Sequence, residues 1–471
     1  MKKKIYLFIF AVLAILPLFG CKEKNPPVSK KPEHYIYVAP NASKSGTGDK
    51  TNPMDFAEAV YKAKPDTVFL LAGGVYKYNT RIALFNDGAP NHYIRVVREN
   101  PEETVTFDFS EMIFEGNNRG IQIYGDFWHF DGIDICGAGD NGMYISGSYN
   151  IVENCNFYNN RDSGLQIGRS SSSDKTIDSW PHYNLVRNCT AWANYDDETY
   201  GENADGFAAK LTIGYGNVFD GCIAFRNSDD GWDLYAKEDS GNIGTVIIEN
   251  CVAFENGYLP YQIDRQLPDG TPYKSYDTLN GDGIGYKLGG SVMEGDVVLR
   301  NSLTFNNKLH GVGDNSNPGV LSVKNVTTVN NCIGLNEDGT VSGRGIEGVD
   351  NKSNNVDLAR DTKSYNNYYG IVSYINNQDN YDVGISGESS YNEDHYRGSC
   401  AYSIFQTEYS EGEIYRVFND YSDASSYQTN LVDTSFNKGE VFTGISDESF
   451  ASLEPINALC ESREKVAEEM E

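Results

Sequence analysis

The chain has 471 residues, with 67 acidic side chains against 38 basic ones and a formal charge of -29 at pH 7. This charge argues against nucleic acid or an anionic membrane surface as the main partner. The 47 glycines, 33 tyrosines and 22 phenylalanines describe a folded chain with many turns and argue against a helical bundle or coiled coil. The length fits either roughly two to four ordinary domains or one long solenoid.

The amino terminus has the pattern of an export signal. Three lysines at positions 2–4 precede an apolar run from Ile5 to Phe19, which predicts that residues 1–21 are a cleaved signal rather than a membrane span. The segment ends in Gly20-Cys21, which is similar to a bacterial lipoprotein signal, in which the cysteine becomes the lipidated first residue. The alternative is a plain secretory signal in which Cys21 has no role. Residues 22–34, with three prolines, predict a flexible tether.

This pattern predicts a protein of the bacterial cell envelope. We expect an outer-membrane lipoprotein, on the cell surface or the periplasmic face, that touches the membrane only through its lipid.

The first elements after the tether predict a capped end. We expect a strand over Tyr35–Pro40, an amphipathic helix over Pro53–Lys64 and a strand over Thr67–Leu71. A helix here would cover the open end of a strand stack and block pairing at its edge.

A seven-residue phrase, typified by NCVAFEN, then recurs along the chain. It starts at Asn154, Asn188, Gly221, Asn250, Asn301, Asn325 and Asp361, and every copy ends in Asn. Short alternating strands that turn at Asn and Gly, with unequal loops between them, predict a right-handed parallel β-helix over residues 35–400. Residues 401–471 are expected to form an irregular extension packed on the solenoid, and the protein is expected to be a monomer.

Two columns should run along this stack. The last Asn of each phrase is expected to hydrogen-bond its copies in the coils above and below. Cys155, Cys189, Cys222 and Cys251 would form an inward column, in which buried free thiols are favoured over disulfides, although the spacing permits a bridge.

Three Asp-Gly pairs begin the second strands of neighbouring coils. Aligning Asp205, Asp230 and Asp282 stacks these carboxylates at a turn and points Phe207, Trp232 and Ile284 inward. The same alignment places Lys287 in one column with Lys210 and Tyr235.

Four carboxylates therefore crowd one patch on adjacent coils, namely Asp205, Asp229, Asp230 and Asp233. Like charges at ~5 Å repel, and an all-oxygen ligand set suits Ca²⁺ better than zinc. Asp-Gly turns explain any single pair, but they do not account for Asp229 and Asp233. A bound dication would lower the pKa of nearby Lys287 and make its neutral amine accessible as a base.

Three blocks, Glu202–Lys210, Asn227–Leu234 and Asn280–Gly290, resemble the pectate lyases of polysaccharide lyase family 9. The resemblance implies a right-handed parallel β-helix, one Ca²⁺ held by Asp205, Asp229, Asp230 and Asp233, and Lys287 as the base. It also implies β-elimination at 4-linked galacturonate in a pectic polysaccharide. Homogalacturonan and the rhamnogalacturonan I backbone both present such a linkage.

Further residues are candidates for substrate binding: Lys210, Tyr235, Tyr286, Lys308 and His310. The tyrosines of residues 257–279 would form a sugar-stacking loop or a lid. Two other functions fit the fold. A metal-independent, polygalacturonase-like pectin hydrolase would leave Asp233 and Lys287 without a role. A non-catalytic surface glycan-binding β-helix would use Ca²⁺ only structurally.

Overall fold

The computed structural model describes residues 34–259, 280–305, 307–329 and 331, together with three strands at 344–347, 363–365 and 369–372. The predictions for the signal, Cys21, the tether, the tyrosines beyond position 259 and the extension at 401–471 lie outside these residues. Within the described part of the chain, no helix is both long enough and apolar enough to span a membrane.

Short strands, numbered in chain order, form three faces, and all of their pairings are parallel. The first face contains β1 (His34–Val38), β2 (Thr67–Leu71), β5 (Ile94–Arg98), β8 (Trp128–Asp131), β11 (Ile151–Glu153), β14 (Leu185–Arg187), β17 (Asn217–Asp220) and β20 (Val246–Glu249). The second contains β3 (Gly74–Lys77), β6 (Val105–Asp108), β9 (Asp134–Cys136), β12 (Asn156–Tyr158), β15 (Thr190–Trp192), β18 (Ile223–Phe225), β21 (Val252–Phe254) and β27 (Lys363–Tyr365).

The third face contains β4 (Ile82–Leu84), β7 (Ile121–Ile123), β10 (Met143–Ile145), β13 (Leu165–Ile167), β16 (Phe207–Ala209), β19 (Trp232–Asp233), β22 (Tyr286–Lys287), β24 (Val312–Gly313), β26 (Arg344–Glu347) and β28 (Tyr369–Val372). Two long strands, β23 (Val297–Phe305) and β25 (Leu321–Val329), continue the first and second faces without a break. The chain thus returns to each face one strand further along, which confirms the predicted parallel β-helix.

The amino-terminal cap is present but shorter than predicted. Helix α1 spans Phe56–Ala59 and passes into a 3₁₀ turn at Val60–Lys62. The helix starts late because Asp55 is its N-cap and accepts a hydrogen bond from the backbone N–H of Glu58 at 3.2 Å. The Phe56 ring packs edge-on against Phe69 and Phe107, and so covers the end of the stack.

The predicted asparagine column is confirmed. It contains Asn160, Asn194, Asn227, Asn256, Asn307 and Asn331. Asn227 is typical: its Oδ1 accepts from Nδ2 of Asn194 at 2.8 Å, and its own Nδ2 donates to Oδ1 of Asn256 at 3.0 Å. A second ladder, which the sequence analysis did not identify, joins Asn150, Asn184 and Asn217 at another turn.

The cysteine column is also confirmed as an inward row of thiols. Cys155, Cys189, Cys222 and Cys251 are fully buried, and none of these four is in a disulfide. The next coil places Ser302 at the same position, where its Oγ accepts from the backbone N–H of Cys251 at 3.1 Å. Burial holds the pKa values of the Cys189 and Cys251 thiols well above their usual range, which disfavours the nucleophilic thiolate form.

Candidate functional site

The candidate site lies on the outward side of the third face. Side chains alternate along each strand there, so Phe207, Trp232 and Tyr286 point into the core. The residues between or beside them form a row, here called the outer row, that follows the solenoid axis: Gln122, Tyr144, Gln166, Ala208, Asp233 and Lys287.

The predicted register of the third block is wrong by two residues. Trp232 pairs with Tyr286 rather than with Ile284, and Gly231 donates its N–H to the carbonyl of Ile284. Asp282 therefore does not stack on Asp230. Lys287 shares its column with Asp233 and Ala208, not with Lys210 and Tyr235.

A glycine column sets the true register. Gly206, Gly231, Gly285 and Gly311 follow one another in successive coils. A Cβ on Gly231 would lie 2.5 Å from the carbonyl oxygen of Gly285 and 2.9 Å from Nδ2 of Asn256, so no side chain fits there. The third block contains two candidate glycines, Gly283 and Gly285, and the second of them occupies the column.

This register places Tyr286 in the inward column of Trp232, so its prediction as a substrate-binding residue is wrong. The side chain is fully buried between coils, with its ring 4.9 Å from that of Trp232. Its hydroxyl donates to the carbonyl of Leu303 at 3.1 Å. A polymer on the outer surface has no access to this ring.

Three predicted carboxylates do come together. Asp205, Asp229 and Asp230 are buried, and one oxygen from each lies within 4.8 Å of the others. Backbone amides fix them: Asp229 accepts from Asn203 and Asp282 at 2.8 and 2.7 Å, and Asp230 Oδ1 accepts from Ile284 at 2.7 Å. These strands and turns hold the carboxylates in place before any ligand arrives.

The fourth predicted ligand, Asp233, borders this group. Its Oδ1 accepts from the backbone N–H of Tyr235 at 2.9 Å, and its Oδ2 lies 3.1 Å from Lys210 Nζ. Lys210 Nζ also donates to Asp205 Oδ2 at 2.7 Å. Lys210 thus bridges Asp205 and Asp233 and is nearly buried between them.

Lys287 lies beside Asp230, as Lys210 lies beside Asp205. Its Nζ lies 3.0 Å from Oδ2 of Asp230 and 3.3 Å from Oδ2 of Asp282. The approach to Asp230 has the distance of an ion pair but not the angle of a hydrogen bond, so the buried Asp230 Oδ2 has no hydrogen-bond partner.

The electrostatics of the cluster follow from burial and crowding. Burial, reinforced by the neighbouring carboxylates, holds the pKa values of Asp205, Asp229 and Asp230 above their usual range. Burial alone would lower the pKa of Lys287, but the carboxylates of Asp230 and Asp233 outweigh it and hold that pKa well above the usual value.

The donor set fits a hard dication. All of the clustered ligand atoms are carboxylate oxygens, and Asp230 Oδ2 is a buried acceptor that no hydrogen bond satisfies. Oxygen ligands of this kind, carrying several negative charges, are those that Ca²⁺ takes in proteins.

The other predicted binding residues lie near the cluster. Tyr235 Oη is 2.7 Å from Ser291 Oγ, and Lys308 Nζ donates to the carbonyl of Gly281 at 2.6 Å. Burial lowers the pKa of Lys308. His310 is buried on the next coil, in the column that contains Ile284.

One contact of the cluster was missed by the sequence analysis. Ser163 Oγ donates to Asp205 Oδ2 at 3.0 Å from the preceding coil. The Ser163-Gly164 pair occupies the position of Asp205-Gly206, and Gly164 belongs to the same glycine column. Aligning that column through the earlier coil would have identified Ser163.

Comparisons with known proteins identify the family. Residues 36–355 match a family model described as Pel9A-like, right handed beta helix region. Pectate lyase L of Paenibacillus polymyxa is 43% identical over 298 residues, which cover 63% of each chain. Pectate lyase L of Dickeya chrysanthemi is 36% identical over 306 residues, covering 63% of this chain and 65% of that protein. The chain thus spans less than two thirds of the length of these relatives.

Solved structures show the same fold. The crystal structure of pectate lyase Pel9A superposes with a TM-score of 0.55 at 29% identity, covering 72% of this chain and 80% of that one. A rhamnogalacturonan lyase superposes with a TM-score of 0.54 at 21% identity, covering 81% and 90%, and at that identity it supports the fold alone. The family model spans most of the chain and confirms the right-handed solenoid, so the chain belongs to the Pel9A-like right-handed β-helix proteins of polysaccharide lyase family 9.

Proposed function

We propose that this protein is a calcium-dependent polysaccharide lyase that cleaves 4-linked galacturonate bonds of pectin by β-elimination, with Lys287 as the base. The observation that carries the proposal is the pairing of Lys287, on the outer row, with a buried and partly unsatisfied carboxylate cluster beside that row. The names of the relatives, pectate lyase L among them, support the same reaction class.

Asp205, Asp229, Asp230 and Asp233 would hold the ion. Bound Ca²⁺ would supply positive charge next to the uronate carboxylate, which stabilises the negative charge that develops as the C5 hydrogen leaves.

Lys287 would take the C5 proton. Its Nζ must first be neutral, and the surrounding carboxylates now keep it protonated. Offsetting their charge is therefore what frees this amine to accept a proton. The electron pair of the C5–H bond becomes the C4=C5 double bond, the bond from C4 to the glycosidic oxygen breaks, and that oxygen takes a proton from water.

Lys210 would hold two of the Ca²⁺ ligands in position. It bridges Asp205 and Asp233 at 2.7 and 3.1 Å and is nearly buried, so it stays charged and fixes two of the ligands. Lys287 has only one fully buried partner and a second, Asp282, that is 53% exposed. This difference favours Lys287 over Lys210 as the base.

One assay tests the reaction. The protein is incubated with polygalacturonate and with rhamnogalacturonan I, in Ca²⁺ or in chelator, and the ultraviolet absorbance of unsaturated uronate is followed. We expect absorbance to rise on at least one substrate and to vanish in chelator. Saturated reducing ends that persist in chelator would indicate the hydrolase instead, and no product from either polymer would indicate a glycan-binding protein.

A pair of variants tests the base. Lys287→Ala should abolish turnover while Ca²⁺ binding, measured by calorimetry, persists. The matched control is Lys77→Ala, because Lys77 lies on the second face and its side chain is 60% exposed. Turnover retained in Lys287→Ala would move the role of base to Lys210.

We further propose that the protein is exported and lipidated at Cys21 in the outer membrane. Support comes from the lysines at positions 2–4, the apolar run and Gly20-Cys21. Radiolabelled palmitate should be incorporated into the wild type but not into Cys21→Ser; equal labelling of the two would contradict the proposal.

A further inference from the structure

A second cationic group, Arg119, lies against Tyr144 of the outer row, four strands away from Lys287. The guanidinium carbon of Arg119 lies 3.3 Å from the ring centroid of Tyr144, so the two planes are stacked. From Tyr144 the row continues through Gln166, Ala208 and Asp233 to Lys287. Four strand spacings amount to about 19 Å.

Arg119 is only partly satisfied by its surroundings. Its Nε is buried and has no hydrogen-bond partner, and its side chain is 15% exposed. The nearest carboxylate oxygen, Asp140 Oδ2, lies 3.6 Å from Nε and already accepts from the backbone N–H of Asn117 at 2.6 Å. Asp140 therefore offsets part of the positive charge without occupying the hydrogen-bonding edge of the guanidinium.

A second arginine on this surface, Arg161, has a direct ion-pair partner. Arg161 stacks on Phe114 in the same way, with its guanidinium carbon 3.2 Å from the ring centroid, but its Nη1 makes a direct ion pair with Asp197. The amide oxygens of the row residues on either side of Tyr144 are also paired, because Gln122 accepts from Arg81 and Gln166 accepts from Asn141. Arg119, by contrast, has no carboxylate oxygen of a described residue closer than the one at 3.6 Å, and its Nε has no hydrogen-bond partner among these residues.

We infer that Arg119, held flat on Tyr144, binds the carboxylate of a distal uronate unit of the polymer. A planar guanidinium with free donors on one edge matches a carboxylate in a fork-to-fork arrangement. A 4-linked pyranose unit is comparable in length to one strand spacing, so a polymer along the outer row would bring a unit about four sugars from the reacting one to Arg119. This inference rests on the proposed function for its substrate.

The role predicts that chain length matters. Oligogalacturonates too short to span from Lys287 to Arg119 gain nothing from this arginine, whereas longer ones gain a charge-assisted contact. For the long oligomers, Arg119→Gln should raise KM roughly tenfold with little change in kcat. Arg119→Lys keeps the charge but loses the planar fork, so its KM for the long oligomers should lie between those of the wild type and Arg119→Gln.

The experiment measures KM and kcat for oligogalacturonates of increasing length in the wild type, Arg119→Gln, Arg119→Lys and the control Lys77→Gln. In the wild type and the control, KM should drop at the length that reaches Arg119, and in Arg119→Gln this drop should disappear. Curves of the same shape in all four proteins would overturn the inference. A lower thermal midpoint in both Arg119 variants with no change in KM would show instead that Arg119 only supports Asp140 and Tyr144.

A binding measurement separates this inference from the proposed reaction. Calorimetric titration of a long oligogalacturonate into Lys287→Ala, with and without Arg119→Gln, needs no turnover. A roughly tenfold weaker Kd in the double variant supports the subsite even if the wild type releases no unsaturated product. Equal Kd values would overturn it even if the lyase reaction is demonstrated.

Discussion

Replacing Asn227 by alanine should lower both the free energy of unfolding of the solenoid and the Ca²⁺ affinity of its carboxylate cluster. This asparagine is fully buried in the middle of the ladder and directly precedes Ser228 and Asp229. The substitution removes only a small polar side chain, so its effect comes from the hydrogen bonds that are lost rather than from a large cavity.

The expected loss in free energy of unfolding follows from the hydrogen bonds of the Asn227 side chain. Asn227 Oδ1 accepts from the backbone N–H and Nδ2 of Asn194 at 3.4 and 2.8 Å, and Asn227 Nδ2 donates to Asn256 Oδ1 and to the carbonyl of Ala191 at 3.0 and 3.2 Å. Four buried bonds at about 1 kcal/mol each, with some groups left unsatisfied, predict a loss of roughly 3–5 kcal/mol in the free energy of unfolding.

Chemical denaturation followed by tryptophan fluorescence measures this loss, and Asn242→Ala is the control because Asn242 lies on the surface. The control should cost less than about 1 kcal/mol. Ca²⁺ affinity should fall in Asn227→Ala as well, since the ladder fixes the start of the turn that carries Asp229. A free energy of unfolding within 1 kcal/mol of the wild type would refute the stabilising role assigned to the ladder.

Three further outcomes are expected. Asp230→Asn should weaken Ca²⁺ binding at least tenfold by calorimetry, because it removes the charge of the unsatisfied oxygen; unchanged affinity would exclude Asp230 as a ligand. Gly231→Ala should lower the free energy of unfolding by about 2 kcal/mol or more, since its Cβ meets a backbone oxygen at 2.5 Å, whereas Gly116→Ala, with open space around it, should have little effect. Burial alone would raise the pKa of Glu153, but His129 and Arg187 lower it to about 2. Its contribution of about 3 kcal/mol should therefore be complete above pH ~4.5 and be lost as the pH falls toward 2. Glu153→Gln should flatten acid unfolding in that window, and an unchanged profile would contradict the assignment.

The sequence was sufficient to predict the solenoid because the residues that form its ladders recur at fixed positions of the repeated phrase. Every phrase ends in an asparagine, and four of them have a cysteine at the second position. Such recurrence indicates equivalent positions that stack on one another in successive coils. The second ladder, at Asn150, Asn184 and Asn217, was missed because its members stand four residues before the start of three phrases, outside the seven residues that define the phrase. Extending the alignment of the phrases toward the amino terminus would have identified them.

The site was predicted less completely, and the reason is a local ambiguity. The third block contains two candidate glycines for the column, Gly283 and Gly285, and only the close approach of neighbouring coils distinguishes them. The wrong choice placed Ile284 instead of Tyr286 in the column of Trp232, and it separated Lys287 from the column of Asp233. Arg119 was not identified because it belongs to no motif, and its relation to Lys287 exists only along the solenoid axis.

The glycine and asparagine columns have a further consequence for how such a protein can change over time. In the sequence, 28 residues (257–284) separate Asn256 from Gly285, yet these two residues lie in the same ladders that much shorter connections join in other coils. Register is thus carried by two small residues per coil and does not depend on the length of the connection between them. New segments can be inserted beside the outer row, and new polymers recognised, while the buried carboxylates and their supporting strands stay in place.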